Sequence, residues 1–121
     1  MSQPTVLLVD DEANILSSLH RSLRREPWHV VTASSPVEAL KQLDEISPVL
    51  VVSDQQMPGM TGIELLAEAG RRLPRVRRVL LTGWPEMVRP EEIEAAGIDA
   101  VVSKPWENEE LLDILRGLVA S

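Results

Sequence analysis

Five polar side chains in this sequence have the types that metal binding and phosphoryl chemistry require, and each one ends or follows a short apolar run. Asp10, Asp11 and Asp54 offer carboxylates, Thr82 offers a hydroxyl donor, and Lys104 is one of only two lysines in the chain. Clustered carboxylates repel one another, and a divalent cation with hard oxygen ligands, Mg²⁺ or Mn²⁺, relieves that repulsion. A lysine is suited to neutralising a phosphoryl oxygen or to pairing with a carboxylate.

The elements that must position these side chains follow from the hydropathy pattern. Apolar runs that are too short for helices alternate with segments of helical periodicity, and the alternation repeats five times. This order is typical of an α/β fold with a parallel sheet covered by helices on both faces. Ligands bind such sheets beyond the carboxyl ends of the strands. The predicted strands are 5–9, 29–33, 49–53, 78–82 and 100–103.

Capping residues and prolines mark where the intervening helices begin and end. We expect a first helix that Pro27 stops, a second from the cap Ser35 to about Asp44, a third from the cap Thr61 to Arg72, a short fourth over 90–96 capped by Gly97, and a fifth that begins at the cap Asn108. If the strand order is 2-1-3-4-5, strands one and three are neighbours and the three carboxylates converge at one edge of the sheet.

Composition excludes several classes of protein. The chain has 121 residues, which fits one domain, and 12 basic against 19 acidic residues, which gives a net charge of −7. The absence of cysteine excludes a disulfide scaffold, thiolate zinc and a cysteine nucleophile, and agrees with a cytoplasmic protein. No apolar run approaches the roughly 20 residues of a membrane span. The acidic balance argues against binding of nucleic acid or of a membrane surface by this domain.

Four motifs resemble those of the receiver domains of two-component response regulators, and of chemotaxis-regulator-like receivers in particular. They are VDDE at 9–12, SDQQMPGMTG at 53–62, LLTG at 80–83 and SKPW at 103–106. The resemblance covers essentially the whole chain, and the order and spacing of the motifs are specific. The resemblance implies a flavodoxin-like, doubly wound (βα)5 fold with strand order 2-1-3-4-5. It also implies a single receiver domain over residues 1–121, either complete or part of a longer regulator.

The resemblance assigns roles to the residues at the predicted sheet edge. Asp54 is expected to be the nucleophile that takes a phosphoryl group from a phosphohistidine, and Thr82 and Lys104 are expected to contact the phosphoryl oxygens. The peptide bond before Pro105 resembles one that is cis in this family. The domain is then a switch that catalyses only its own phosphorylation and dephosphorylation, rather than an enzyme that turns over a separate substrate.

The resemblance also implies a metal site and a set of partners. Asp11, Asp54 and the backbone carbonyl of Gln56 are expected to ligate Mg²⁺ or Mn²⁺ directly, and Asp10 is expected to act largely through a bound water. The expected partners are a sensor histidine kinase or a histidine phosphotransfer protein, and an output domain or downstream protein. A phosphorylation-dependent homodimer is a further option.

Two positions depart from the family pattern or add to it. The family commonly has Tyr or Phe three residues before the motif lysine, where this chain has Val101, so the transmission of the signal is in doubt. We hypothesise that Trp84, two residues after Thr82, screens the phosphoryl group or reports its state. Two other readings remain open, a degenerate receiver that acts only as a protein-interaction domain and an aspartyl-nucleophile phosphatase. The phosphatase reading is disfavoured because position 56 is Gln, not the second Asp of those enzymes.

The basic residues are concentrated in one segment. Positions 71–78 contain five arginines in eight residues. Such a segment either docks an acidic partner or pairs with acids of its own chain, and in a chain of net charge −7 we favour the second.

Overall fold

The computed structural model describes residues 3–121, which form one parallel sheet of five strands with five α-helices around it. The strand order is β2-β1-β3-β4-β5, as the sequence predicted. A single 3-10 turn, Pro85–Met87, precedes the fourth helix. The elements are β1 (Thr5–Val9), α1 (Ala13–Leu23), β2 (His29–Ala33), α2 (Pro36–Ile46), β3 (Leu50–Asp54), α3 (Gly62–Arg72), β4 (Arg77–Thr82), α4 (Pro90–Ala96), β5 (Ala100–Ser103) and α5 (Asn108–Ala120).

The sheet separates two aliphatic cores. Successive side chains of a strand point to opposite faces, so each strand contributes to both cores. Each fully buried leucine contributes about 1.5 to 3 kcal/mol, and a core without Phe or Tyr depends on many of them. The face covered by α1 and α5 buries Val6, Leu8, Leu50, Val52, Val79 and Leu81, and the face covered by α2, α3 and α4 buries Leu7, Val9, Val51 and Leu80.

Strand register brings the carboxyl ends of the central strands to one level. Val9 of β1 pairs with Ser53 of β3, so the residues that follow them, Asp10 and Asp54, continue side by side. Across the next pair, Asp54 is aligned with Leu81, and Thr82 follows Leu81 at the end of β4. The predicted polar residues therefore share one edge because the strands are parallel and in register.

Most predicted helix boundaries are confirmed, and three need correction. Ser35 accepts the backbone N–H of Glu38 at 3.1 Å, and Thr61 forms a complete capping box with Glu64. Gly97 ends α4 with φ +67°, in the left-handed region that glycine favours.

The three corrections concern α1, α2 and α5. Helix α1 already ends at Leu23, four residues before Pro27, and α2 continues to Ile46. Asn108 is not the cap of α5, because the carboxylate of Glu107 accepts the backbone N–H groups of Glu109 and Glu110 at 3.1 and 2.9 Å. The third predicted strand is displaced by one residue, since β3 runs from Leu50 to Asp54.

The arginine-rich segment pairs mainly within the chain. Arg71 and Arg72 both contact Glu68, and Arg72 also contacts Asp44 at 3.0 Å. Arg77 lies 3.6 Å from Asp99. Arg78 Nη1 donates to the backbone carbonyl oxygen of Ala96, at the end of α4, at 2.8 Å. Three of the five arginines therefore pair with acids of the same chain, as the sequence favoured.

None of the helices in residues 3–121 combines the length and the apolar character that crossing a membrane requires.

An ion pair fixes the loop after α1 to α5. Arg116 donates to both carboxylate oxygens of Glu26, at 2.9 and 2.8 Å. These hydrogen bonds hold the pKa of Glu26 below its ordinary value. Burial opposes them, and the charge of Arg116 adds a smaller lowering effect. A carboxyl group whose pKa is lowered by folding stabilises the protein above its unfolded pKa, and that stabilisation is lost as the pH falls through its folded pKa.

We predict that Glu26→Gln lowers the free energy of unfolding by about 0.5 to 1 kcal/mol at about pH 7, because Arg116 is 45% exposed and solvent screens the pair. The difference from the wild type should shrink as the pH falls through the lowered folded pKa of Glu26, because the carboxyl group is then protonated in both states. Urea unfolding at neutral pH and over a descending series of acidic pH values measures it. Glu45→Gln, an exposed control on α2, should show no comparable pH-dependent difference.

Candidate functional site

One lysine bridges two buried carboxylates at the carboxyl edge of the sheet. Lys104 Nζ lies 2.7 Å from Asp10 Oδ2 and 2.8 Å from Asp54 Oδ1. The side chains of Asp10, Asp54 and Lys104 are 0%, 5% and 15% exposed. The structure therefore brings together three of the residues that the sequence singled out, and removes all three charges from bulk water.

The buried polar residues of the described chain also lie at this edge. Asp10, Ser53, Asp54 and Thr82 are the polar side chains that residues 3–121 bury. Buried polar groups are costly unless they are satisfied, and in the described residues every buried side-chain N or O atom has a hydrogen-bond partner. Their concentration at one edge marks a site, since the remainder of the core is aliphatic.

Burial and the contacts between the two groups together shift the pKa values of Asp54 and Lys104. Burial raises the pKa of Asp54, the hydrogen bond from Lys104 lowers it, and the charge of Asp10 raises it again, so that the pKa lies above its ordinary value. Burial lowers the pKa of Lys104, but its hydrogen bonds to Asp10 and Asp54 and their charges outweigh burial and raise the pKa overall. Lys104 therefore stays charged, and Asp54 is a more basic carboxylate than a solvated one.

A second acidic group lies beside the first. Asp10, Asp11 and Glu12 each offer a carboxylate oxygen, and these oxygens lie within 4.8 Å of one another. Asp10 is buried and held by the backbone N–H of Glu12 at 2.9 Å, whereas the other two are exposed. Hard carboxylate oxygens at this spacing suit Mg²⁺ or Mn²⁺.

This group differs from the ligand set expected from the sequence. Glu12 joins it and was not selected, although it directly follows Asp11 in the VDDE motif. Asp54 is not part of it, and one of its oxygens is bonded to Lys104 instead. Gln56 is exposed, and its backbone N–H lowers the pKa of Asp54. The expected metal-ligand roles of Asp11, Asp54 and the Gln56 carbonyl remain predictions.

Thr82 connects the buried edge to an exposed turn. Its side chain is buried, and its Oγ1 accepts the backbone N–H of Trp84 at 3.1 Å. The Trp84 side chain itself is 60% exposed. The hypothesis that Trp84 screens the phosphoryl group or reports its state remains a prediction.

The loop that carries Lys104 is anchored at several points. The backbone N–H of Lys104 donates to the carbonyl of Thr82 at 2.9 Å, and the peptide bond before Pro105 is cis, as the resemblance implied. Asn108 Oδ1, freed from the predicted capping role, accepts Trp106 Nε1 and Ser22 Oγ, both at 3.0 Å. These bonds connect the loop to α1 and keep Lys104 in place.

Two residues that the sequence analysis did not select position Asp54. Gly62 begins α3 so close to β3 that a Cβ at this position would clash with the carbonyl oxygen of Asp54 and lie 2.8 Å from a methyl group of Leu80. Gln55 Oε1 accepts the backbone N–H of Ile63 at 3.0 Å, which binds the loop to the start of the helix. The sequence signal for Gly62 is a glycine at a first helical position, where many other residues are suitable.

We predict that Gly62→Ala lowers the free energy of unfolding by about 1 to 3 kcal/mol, because the backbone of Asp54 must move to admit the methyl group. Gly117→Ala is the matched control, since Gly117 lies within α5 and a Cβ there has no neighbour within 4 Å in the described structure. The control should raise stability by about 0.5 to 1 kcal/mol. Denaturant unfolding compares the two, and equal effects would contradict the close approach.

We predict that Asp54→Asn stabilises the protein by about 1 kcal/mol at neutral pH. The neutral amide removes the repulsion with Asp10 and the cost of burying a second carboxylate, and its oxygen still accepts from Lys104. Unfolding in EDTA-containing buffer isolates this effect from metal binding. Asp113→Asn, at an exposed position of α5, should leave the stability unchanged, and a destabilised Asp54→Asn protein would contradict the interpretation.

Comparisons with known proteins agree with this geometry. The family model for the response regulator receiver domain matches residues 6–116. The hydrogenase transcriptional regulatory protein HoxA of Cupriavidus necator is 38% identical over 121 residues, which cover 97% of this chain and 24% of HoxA. The chain spans 44% and 49% of two further relatives, the transcriptional regulatory protein TrcR and the probable regulator TcrX of Mycobacterium tuberculosis.

Solved structures are similar over nearly the whole chain. The signal receiver domain of an HD domain-containing protein from Pseudomonas fluorescens has a TM-score of 0.92 and 34% identity, with 99% of this chain and 89% of that chain covered. The response regulator TrrA of Thermotoga maritima, solved in complex with Mg²⁺-BeF, has a TM-score of 0.86 and 30% identity, with 95% and 98% covered. The fold, the motifs and the family model agree, and this chain belongs to the receiver domain family of two-component response regulators.

Proposed function

We propose that this receiver domain accepts a phosphoryl group on Asp54 from a phosphohistidine of a partner protein. The observation that carries the proposal is the buried cluster in which Lys104 bridges Asp54 and Asp10. A carboxylate is a competent nucleophile for phosphoryl transfer, and the remaining requirements are positioning and charge neutralisation. Receiver domains are regulatory modules, so the product of this reaction is a changed state of the domain.

The reaction balances with the residues of the site. One carboxylate oxygen of Asp54 attacks the phosphorus while the phosphorus–nitrogen bond to the donor histidine breaks. The electron pair of that bond goes to the ring nitrogen, which takes a proton from solvent, so that an acyl phosphate on Asp54 and a free imidazole result. Lys104 bonds Oδ1, so the other oxygen is the one available for attack. The ammonium group and the Thr82 hydroxyl would then contact the phosphoryl oxygens.

The acidic group beside Asp54 fits a divalent cation. Asp10, Asp11 and Glu12 present only oxygen donors, and Asp11 and Glu12 are exposed, so they can take up an ion without displacing core atoms. Bound there, Mg²⁺ or Mn²⁺ would offset the negative charge of the transferring phosphoryl group. The Mg²⁺-BeF complex of the similar regulator TrrA supports this assignment.

The phosphoryl donor has an open approach beside the lysine. A groove of about 710 Å³ lies between α1 and the loop after β5, and it is lined by Arg21, Arg24, Lys104 and Trp106 among others. We propose that a sensor histidine kinase or histidine phosphotransfer protein brings its phosphohistidine to this side. The state of Asp54 is then relayed to an output domain or downstream protein, as the transcriptional regulators among the relatives suggest.

We predict that acetyl phosphate with Mg²⁺ adds one phosphoryl group to the wild type, that Asp54→Asn abolishes the adduct, and that Asp113→Asn leaves it unchanged. Lys104→Met should slow its formation by about 10² to 10³-fold, the usual loss when one group that stabilises developing charge is removed. Intact-mass spectrometry over time, with an EDTA control, measures each variant.

Other results would point to other functions. Steady release of phosphate over many turnovers would indicate a phosphatase, and the absence of an adduct under every condition would indicate a receiver that acts only by protein binding. An adduct that persists in Asp54→Asn would contradict the assignment of the acceptor.

A further inference from the structure

A groove crosses the edge of the sheet at which β3 and β4 begin, the edge opposite the phosphoacceptor site. Its volume is about 510 Å³, and it lies between the loops that precede these two strands and the last turn of α5. Its apolar lining residues are Pro48, Val49, Leu73, Pro74, Val76, Leu118 and Val119. Val49 is 41% exposed and is one of the four large hydrophobic residues that residues 3–121 expose. The described residues therefore leave this apolar surface open to solvent.

Backbone hydrogen bonds hold the walls of the groove in place. The N–H of Arg77 donates to the carbonyl of Val49, and the N–H of Val49 donates to that of Thr5, both at 2.9 Å. In the loop before β4, the N–H of Val76 donates to the carbonyl of Leu73 at 3.0 Å. A surface that is already ordered loses little conformational entropy when a partner binds, so the groove is pre-organised for a ligand.

Two arginine side chains also line the groove. Arg75 is exposed, and Arg77 is 39% exposed and lies 3.6 Å from Asp99. Both arginines also line an adjoining cavity of about 440 Å³, together with Arg78 and Asp99. Three arginine side chains against one aspartate side chain make this region positively charged, although the net charge of the chain is −7.

Arg75 is the arginine of the 71–78 segment that the fold does not use. The first two arginines of the segment and Arg77 pair with acids of the chain, and the guanidinium of Arg78 donates to backbone carbonyl oxygens. The Arg75 side chain forms no ion pair or hydrogen bond with residues 3–121. A guanidinium group binds a carboxylate through two parallel hydrogen bonds. An exposed guanidinium beside an apolar groove therefore suits a ligand that carries both carboxylate and apolar groups.

We propose that this groove docks a peptide segment of a partner protein that combines acidic and apolar side chains. The apolar side chains of the segment occupy the groove beside Val49, and its carboxylates pair with Arg75 and Arg77. A groove of this volume receives a few side chains, which suits a segment in a groove better than a broad folded surface. Because the chain as a whole is acidic, like-charge repulsion disfavours other placements of the same segment.

Docking at this groove leaves the phosphoacceptor edge free. Strand β3 runs from the groove to the site, and Val49 lies about 16 Å from Asp54 along the strand. A partner held at the groove therefore stays bound while Asp54 is modified and released. Docking does not rest on the proposed function, and its test is made on the unmodified protein.

The test uses a short synthetic peptide of leucine and glutamate. Length-matched peptides of leucine and lysine and of serine and glutamate are the controls, and each should bind at least about tenfold more weakly. NMR spectra locate the site. We expect the leucine–glutamate peptide to shift the backbone amide signals of Val49, Val76 and Leu118, and to leave the indole signals of Trp84 and Trp106 unchanged.

The affinities of variants test the charged and apolar components separately. Arg75→Gln should weaken binding about fivefold at low salt and less at high salt, and Arg75→Lys should retain most of the affinity. Val49→Ala should weaken binding about fivefold at either salt concentration, because it removes apolar area from the contact. Lys41→Gln and Val37→Ala are matched exposed controls on α2, and each should change the affinity less than about twofold.

Several results would overturn the docking surface. Equal weakening by the α2 controls, equal binding of either control peptide, or amide shifts confined to other parts of the chain would each contradict it. Self-association that Arg75→Gln abolishes would assign the groove to a second copy of the chain instead. A change in affinity of more than about twofold when acetyl phosphate modifies Asp54 would contradict its independence of the phosphoacceptor edge. Failure of acetyl phosphate to modify Asp54 would contradict only the proposed function.

Discussion

The contact on which this structure depends is one ammonium group between two buried carboxylates. Asp10 and Asp54 end neighbouring parallel strands, so their side chains converge, and Lys104 at the end of β5 reaches both. Without the lysine the site would bury two like charges, which is among the more costly arrangements in a protein. The sheet order, the close approach of Gly62 and the anchored loop before α5 all serve to hold this contact.

The rest of the molecule is a rigid aliphatic frame for that edge. The strand centres bury Val and Leu on both faces, and polar burial is concentrated at the carboxyl ends. The polar groups therefore lie at the ends of strands that are packed on both faces. Packing on both faces keeps these strand ends rigid, as a pre-organised phosphoryl site would require.

Strand β5 has no aromatic side chain, so a rotamer change of a large aromatic residue on β5 cannot transmit a signal in this chain. Val101 is only partly buried and packs with the α2–α4 core, so it cannot provide a large aromatic swing. Thr82 Oγ1 accepts the backbone N–H of Trp84, so one hydrogen bond connects the buried edge of the sheet to the exposed residue that follows β4.

The hydropathy and capping patterns of the sequence were sufficient for the alternating elements and for the cap residues Ser35 and Thr61, because periodicity and capping are properties of neighbouring residues. The motif resemblance supplied the strand order and directed attention to Asp10, Asp54, Thr82 and Lys104 at one edge of the sheet. The tertiary structure alone decided which groups share a bond. It placed Lys104 between two carboxylates, grouped Glu12 with Asp10 and Asp11, gave the α5 cap to Glu107, and brought Gly62 against the carbonyl of Asp54. Each of these depends on distances between residues far apart in the chain or on the reach of a side chain, and neither quantity is contained in local sequence.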